Sequence, residues 1–184
     1  MNEVIKKSHL NSPTFSKSNK LMRLLWLFTY LIFFRFSPVP LFGYRRFILL
    51  MFGAKLQSGA RIYPSVKIWL PSNLTMKTGS TLGARVNVYN QGRITICENA
   101  IISQDVSLCA STHDYNDATH PLLLSPIVIF NDVWVCAEAF IGPGVKLAVG
   151  SVVGARAAVV RNTDAWGVYA GNPATRVNDR QRHI

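Results

Sequence analysis

The chain has 184 residues, 49% of them hydrophobic, and a formal charge of +11 at pH 7. This composition excludes a disordered protein and supports one sizeable core, read as a single domain with an appendage. The charge is lopsided: residues 1–55 hold nine Lys or Arg against one Glu, and these cations bracket aromatic and aliphatic runs, which suits an anionic membrane surface and argues against a nucleic-acid partner.

Residues 1–20 are rich in Ser, Asn and Lys, show no apolar period and are expected to be mobile. A basic, apolar helical arm is expected over residues 21–55. Its first part, residues 24–34, is apolar apart from Thr29 and Tyr30, is bracketed by Arg23 and Arg35, and falls short of the ~20 residues that span a bilayer. Arg35 and the Ser37-Pro38-Val39-Pro40 segment offer no signal-peptidase site. Residues 41–52 read as a second short helix carrying Arg45 and Arg46, with Gly53 as its stop. Two roles stay open for this pair: packing on the end or flank of the body, or lying in a membrane interface with arginines at headgroup level. The number of large apolar side chains favours peripheral membrane contact.

From residue 56 to 163 an aliphatic residue returns every sixth position. Ile129, Val135, Ile141, Leu147, Val153 and Val159 keep the beat without a slip. A period of six is neither helical nor a flat-sheet alternation, so each unit is a short extended segment followed by a turn. Three residues on stand Asp132, Glu138, Gly144, Gly150, Arg156 and Asn162, four of them types that tolerate a left-handed backbone. Four residues on, Val133, Ala139, Val145, Ser151 and Ala157 are small enough for a narrow interior.

Earlier the beat runs in threes: Leu56, Ile62, Ile68; then Met76, Leu82, Val88; then Ile96, Ile102, Leu108. Extra residues follow every third unit, so three units make one turn of a three-sided coil and every insertion leaves the same corner. Five coils result. Neighbouring coils lie about 4.8 Å apart, which sets Asn90, Gln91 and Arg93 beside the root of the longest insertion, residues 109–126. Cys97, Cys109 and Cys136 each follow an aliphatic column residue and read as small fillers in a reducing compartment, their spacing fitting neither a disulfide framework nor a zinc site.

The long insertion holds His113 and His120, and a loop of this length on a rigid scaffold is a place for chemistry. The hexapeptide column, the Ser-Thr-His-Asp-Tyr segment (111–115), Ser-Pro-Ile-Val-Ile (125–129), Asp-Val-Trp-Val (132–135) and the closing Ala-Gly-Asn-Pro-Ala (170–174) together resemble the left-handed β-helix acyltransferases. The arm and Tyr63-Pro64-Ser65-Val66 are similar to those of the colanic-acid-biosynthesis acetyltransferases, over about residues 16–180. The resemblance implies an all-β fold: a left-handed parallel β-helix of about five three-sided coils with an N-terminal helical arm and a short C-terminal tail, residues 164–184.

It further implies a homotrimer with acetyl-CoA in the groove between two prisms, and His113 as the base that takes a proton from a sugar hydroxyl. Asp114 would orient the imidazole or cap the loop turn, and Glu138 would be an exposed turn residue or reach the imidazole, as an orienting group, or the acceptor across the trimer interface. Asn90, Asn87, Tyr115 and Trp134 would meet the acceptor, with Trp134 alternatively at the subunit seam. Ala137 and Ala155 would offer backbone contacts to acetyl-CoA, and Arg156, Arg161 and Arg176 would reach its phosphates. No metal is expected: a carbonic-anhydrase reading needs three convergent histidines, and His9 and His183 sit near the termini.

The expected activity is O-acetylation of a sugar, free or lipid-linked, in exopolysaccharide, capsule or O-antigen synthesis. The expected location is cytoplasmic, on the inner face of the membrane. An amino-sugar N-acetyltransferase and a non-catalytic trimeric β-helix are the alternatives.

Overall fold

The computed structural model describes residues 15–181. His9, His183 and most of the segment expected to be mobile lie outside the described residues.

The body is a three-sided left-handed parallel β-helix. Its first face stacks Lys55–Leu56, Leu74–Met76, Ile94–Ile96, Ile127–Ile129 and Lys146–Leu147. The second carries Arg61–Ile62, Thr81–Leu82, Ile101–Ile102, Trp134–Val135 and Val152–Val153. The third carries Lys67–Ile68, Asn87–Tyr89, Ser107–Cys109, Phe140–Ile141 and Ala158–Val159. Each strand pairs in parallel with its equivalent one coil away, so the column residues stack: Ile62 on Leu82 on Ile102 on Val135 on Val153.

Nearly every column residue is sealed from water, from Ile62 through Val153 at 6% exposure or less, and burial of each such side chain contributes about 1.5–3 kcal/mol. The small column beside it, Val133, Ala139, Val145, Ser151 and Ala157, is buried too. Asp132, Glu138, Gly144, Gly150 and Arg156 all take positive φ at the turns.

The stack runs to about six turns rather than five. Gly167–Gly171 pairs in parallel with Val152–Val153, and Ala174–Asp179 folds back antiparallel on it. Tyr169 takes the column position above Val153 although the sixfold beat has lapsed, and its hydroxyl accepts a hydrogen bond from the Asp164 amide at 2.7 Å. The expected tail is therefore the lid on the last coil.

The arm closes the other end. Helix α1, Lys17–Thr29, begins within the stretch expected to be mobile, because the Ser16 hydroxyl caps it by accepting from the Asn19 amide. It continues into a wider turn, Tyr30–Phe34, and α2 spans Phe42–Met51. Trp26, Tyr30 and Phe34, four residues apart, form the buried stripe. The Trp26 indole donates to the Ile68 carbonyl at 2.7 Å.

Arg45 is fully buried; its guanidinium donates to the carbonyls of Ile62, Pro38 and Val39 and to the Ser37 hydroxyl. Burial pushes its pKa below the ordinary value, and these partners compensate the buried charge. The arm thus packs on the body with one face. Its other face leaves Leu24, Phe28, Ile32, Phe33, Phe36 and Phe47 exposed, and no helix among the described residues is long and apolar enough to cross a membrane.

Candidate active site

The three insertions leave one corner, between the third and first faces. At that corner Ser111–His113 and Leu122–Leu124 pair as an antiparallel hairpin, with His113 opposite Leu122. Gly92 lies against the hairpin root: a Cβ there would come within 2.5 Å of the Ala110 carbonyl oxygen, so only glycine allows this close approach.

The His113 imidazole is fixed by backbone. Its Nδ1 lies 2.6 Å from the His120 carbonyl oxygen. A carbonyl only accepts, so in the neutral ring Nδ1 carries the proton and Nε2 keeps the lone pair. His120 takes a positive φ of 44° in presenting that carbonyl. His113 lines a cavity of about 530 Å³ together with Phe15, Lys20, Tyr89, Gln91 and Leu122. The Gln91 amide donates to the Tyr89 hydroxyl, and its own carbonyl oxygen is buried without a partner among the described residues.

Several expected site residues make contacts within the scaffold. Asp114 does not orient the imidazole: its carboxylate accepts from the Asn116 amide and shapes the hairpin tip. Asn90, expected at the acceptor, bonds the scaffold. It is 0% exposed, and its side chain both donates to the Leu70 carbonyl and accepts from the Leu70 amide one coil away. A corner polar residue stacked between coils satisfies backbone groups that no strand ladder reaches.

Tyr115 stands out at the hairpin tip, 83% exposed. Asn87 lies on the outer third face, within 3.5 Å of the Ser107 hydroxyl, and Trp134 on the outer second face, its indole donating to the Ser103 hydroxyl.

Arg161 follows the last strand of the third face and Arg176 lies on the closing hairpin, whereas Ala137, Glu138, Ala155 and Arg156 gather at the corner between the second and third faces. There Arg85, Asp105, Glu138 and Arg156 share one positive-φ turn position, and cross-coil ion pairs join Arg85 to Asp105 at 2.6 Å and Arg156 to Glu138 at 2.8 Å. Glu138 is thus paired with Arg156 of its own chain, one face away from His113. The pair raises the Arg156 pKa, and the Asp105 carboxyl is held below its ordinary value by its hydrogen bond to Arg85.

Arg176 is likewise tied to Asp179 and Asp164, while Arg161 is exposed with no ion-pair partner among the described residues. The amides of Ala137 and Ala155, stacked at this corner, form no hydrogen bond within the described residues. The base and these amides stand on two different corners, one face apart.

No protein-family profile matches the chain. It is 37% identical over 166 residues, 90% of its length and 91% of the relative's, to the protein named colanic acid biosynthesis acetyltransferase WcaF of Escherichia coli (strain K12). The chain belongs to the WcaF family of hexapeptide-repeat acetyltransferases. It is also 26% identical over 136 residues to the galactoside O-acetyltransferase of Escherichia coli (strain K12), covering 71% of this chain and 67% of that one. Among solved structures, galactoside acetyltransferase in complex with coenzyme A superposes with a TM-score of 0.82 at 22% identity, over 92% of this chain and 86% of the other. This acetyltransferase shares that fold from the arm to the closing hairpin.

Residue type alone did not point to Lys20, Phe15 or Tyr89 as walls of the His113 cavity. Tyr89 carried a signal: it is the residue after column position Val88, one coil below Cys109, where the hairpin departs.

Proposed function

We propose that this acetyltransferase moves acetyl from acetyl-CoA to a sugar hydroxyl, with His113 as general base, in synthesis of a surface polysaccharide. The observation that carries the reading is the bond from Nδ1 to the His120 carbonyl, which leaves Nε2 as the proton acceptor in a side chain lining a cavity. Nε2 takes the proton of the acceptor hydroxyl as its oxygen attacks the thioester carbon. The carbonyl electron pair moves onto oxygen, where a backbone amide such as that of Ala137 stabilises it. Collapse expels the CoA thiolate, which takes the proton back from Nε2–H, leaving an acetyl ester and free CoA.

Acetyl-CoA lies against the amides of Ala137 and Ala155, with Arg161 the cation best able to meet its phosphates. These amides are a face away from His113 in the same chain, about six residues of extended backbone or on the order of 20 Å. A homotrimer resolves the distance, one copy presenting the hairpin to the next copy's amide corner, with Trp134 and Asn87 on faces turned toward the seam. The exposed apolar face of the arm, flanked by cations, holds the enzyme on an anionic membrane surface.

The test is incubation with acetyl-CoA and matched hydroxy- and amino-sugar acceptors, with the new acetyl located by mass spectrometry. An ester on oxygen is expected. Acetyl on nitrogen alone would replace the O-transfer reading with the amino-sugar one.

A further inference from the structure

A second cavity, of about 490 Å³, lies between α1 and the first strand of the third face. Its rim holds three cations, Lys20, Arg23 and Lys67, and its walls are apolar: Leu24, Leu27 and Trp69. The Arg23 guanidinium sits 4.0 Å from the centroid of the Trp69 ring. None of the three cations has an ion-pair partner among the described residues, and the sequence places no Asp or Glu between residues 4 and 97.

Tyr30 lines the same cavity at 8% exposure, and its hydroxyl finds no hydrogen-bond partner among the described residues. A buried hydroxyl left unpaired is costly, and an anionic oxygen is the acceptor that relieves it. Lys20 lines both this cavity and the His113 cavity, so the two adjoin. Beside the rim, the exposed Leu25, Phe28, Leu31 and Ile32 present the face of α1 and the turn that follows it to a nonpolar medium.

We propose that this cavity binds the phosphate or diphosphate of a membrane lipid that carries the acceptor saccharide, so that the sugar enters the adjoining His113 cavity while the hydrocarbon chain runs along the apolar face of α1. Three cations without an ion-pair partner, a phenol without a hydrogen-bond partner among the described residues, and apolar walls fit a group that is anionic at one end and hydrocarbon at the other. Contact with the catalytic cavity through Lys20 distinguishes a saccharide-bearing lipid from bulk phospholipid, whose headgroup has nothing to deliver there. The proposal rests on the sugar-acetylation reading for its purpose, but its test does not depend on turnover.

The test is equilibrium binding to the full chain without acetyl-CoA, followed by the fluorescence of Trp26 and Trp69. The probes are a polyisoprenyl diphosphate monosaccharide in detergent micelles, an uncharged polyisoprenyl glycoside of the same chain length, the water-soluble sugar phosphate, and phosphatidylglycerol vesicles. The diphosphate lipid should bind at least about tenfold more tightly than either the uncharged lipid or the soluble phosphate. Lys67→Ala, Arg23→Ala and Tyr30→Phe should each weaken it by about tenfold, the size of one charge-assisted contact, with melting temperature preserved.

Equal binding of the uncharged glycoside, or unchanged affinity in folded variants, overturns the proposal. So does an equal loss of phosphatidylglycerol binding in the variants, which would make the rim a general membrane contact. A chain that binds the diphosphate lipid yet acetylates no acceptor refutes the transfer reading and leaves this one standing.

Discussion

Two corners of the same prism solve opposite problems. At the corner between the second and third faces, Arg85, Asp105, Glu138 and Arg156 repeat one positive-φ turn, and their charged side chains pair across coils. At the corner between the third and first faces no turn repeats: extra residues leave after each of the first three coils, and the third departure is the hairpin that holds His113. Regularity keeps the strands in register and leaves the N–H groups of Ala137 and Ala155 without hydrogen-bond partners among the described residues; irregularity frees chain length to place an imidazole. The proposed transfer uses both, so the separation of one face between them is its central geometric constraint.

The comparison is broken most severely at the irregular corner. His113→Ala should lower acetyl transfer by about 10²–10⁴-fold with little change in thermal stability, since the ring lies on an exposed hairpin; steady-state rates beside a melting curve check both halves of that statement. Asn90→Ala strands the Leu70 amide and carbonyl inside the corner and should cost about 2–4 kcal/mol, read as a fall of roughly 5–15 °C in melting temperature. If the asparagine met the acceptor instead, the change would appear in acceptor KM with the melting temperature intact. Glu138→Gln, at the regular corner, removes an exposed ion pair and should leave both rate and melting temperature unchanged within error. A large rate loss there would return Glu138 to the active site.

The sequence made the faces legible because burial on a narrow prism admits only one period, and the slips of that period located the irregular corner before any coordinate was known. Contacts with a neighbour one coil away are harder to read. Glu138 and Arg156 are 18 residues apart and Arg85 and Asp105 are 20, a full coil in each case, so opposite charges at that spacing were a readable sign of a cross-coil pair.

Asn90 is ambiguous for a related reason: an amide side chain that bonds backbone one coil away looks, in sequence, like one waiting for a ligand. The bond that fixes His113 was beyond residue types altogether, since its partner is a carbonyl that any residue at position 120 would carry. The closing hairpin escaped notice because Tyr169 fills the column position without keeping the beat. On the arm, Trp26, Phe34 and Arg45 pack against the first coil, and the outer apolar face stays exposed.

The claim that the two corners cooperate between copies is tested most directly by mixing two inactive variants. His113→Ala removes the base and keeps the amide corner; Ala155→Trp blocks the amide corner and keeps the base. Each alone should transfer acetyl at a small fraction of the wild-type rate. Co-expressed and purified as mixed trimers, they should recover about a third of wild-type activity, because one of the three seams in every mixed trimer joins an intact hairpin to an intact amide corner. Mixed trimers that remain no more active than either parent would contradict the account and place the whole site within one chain.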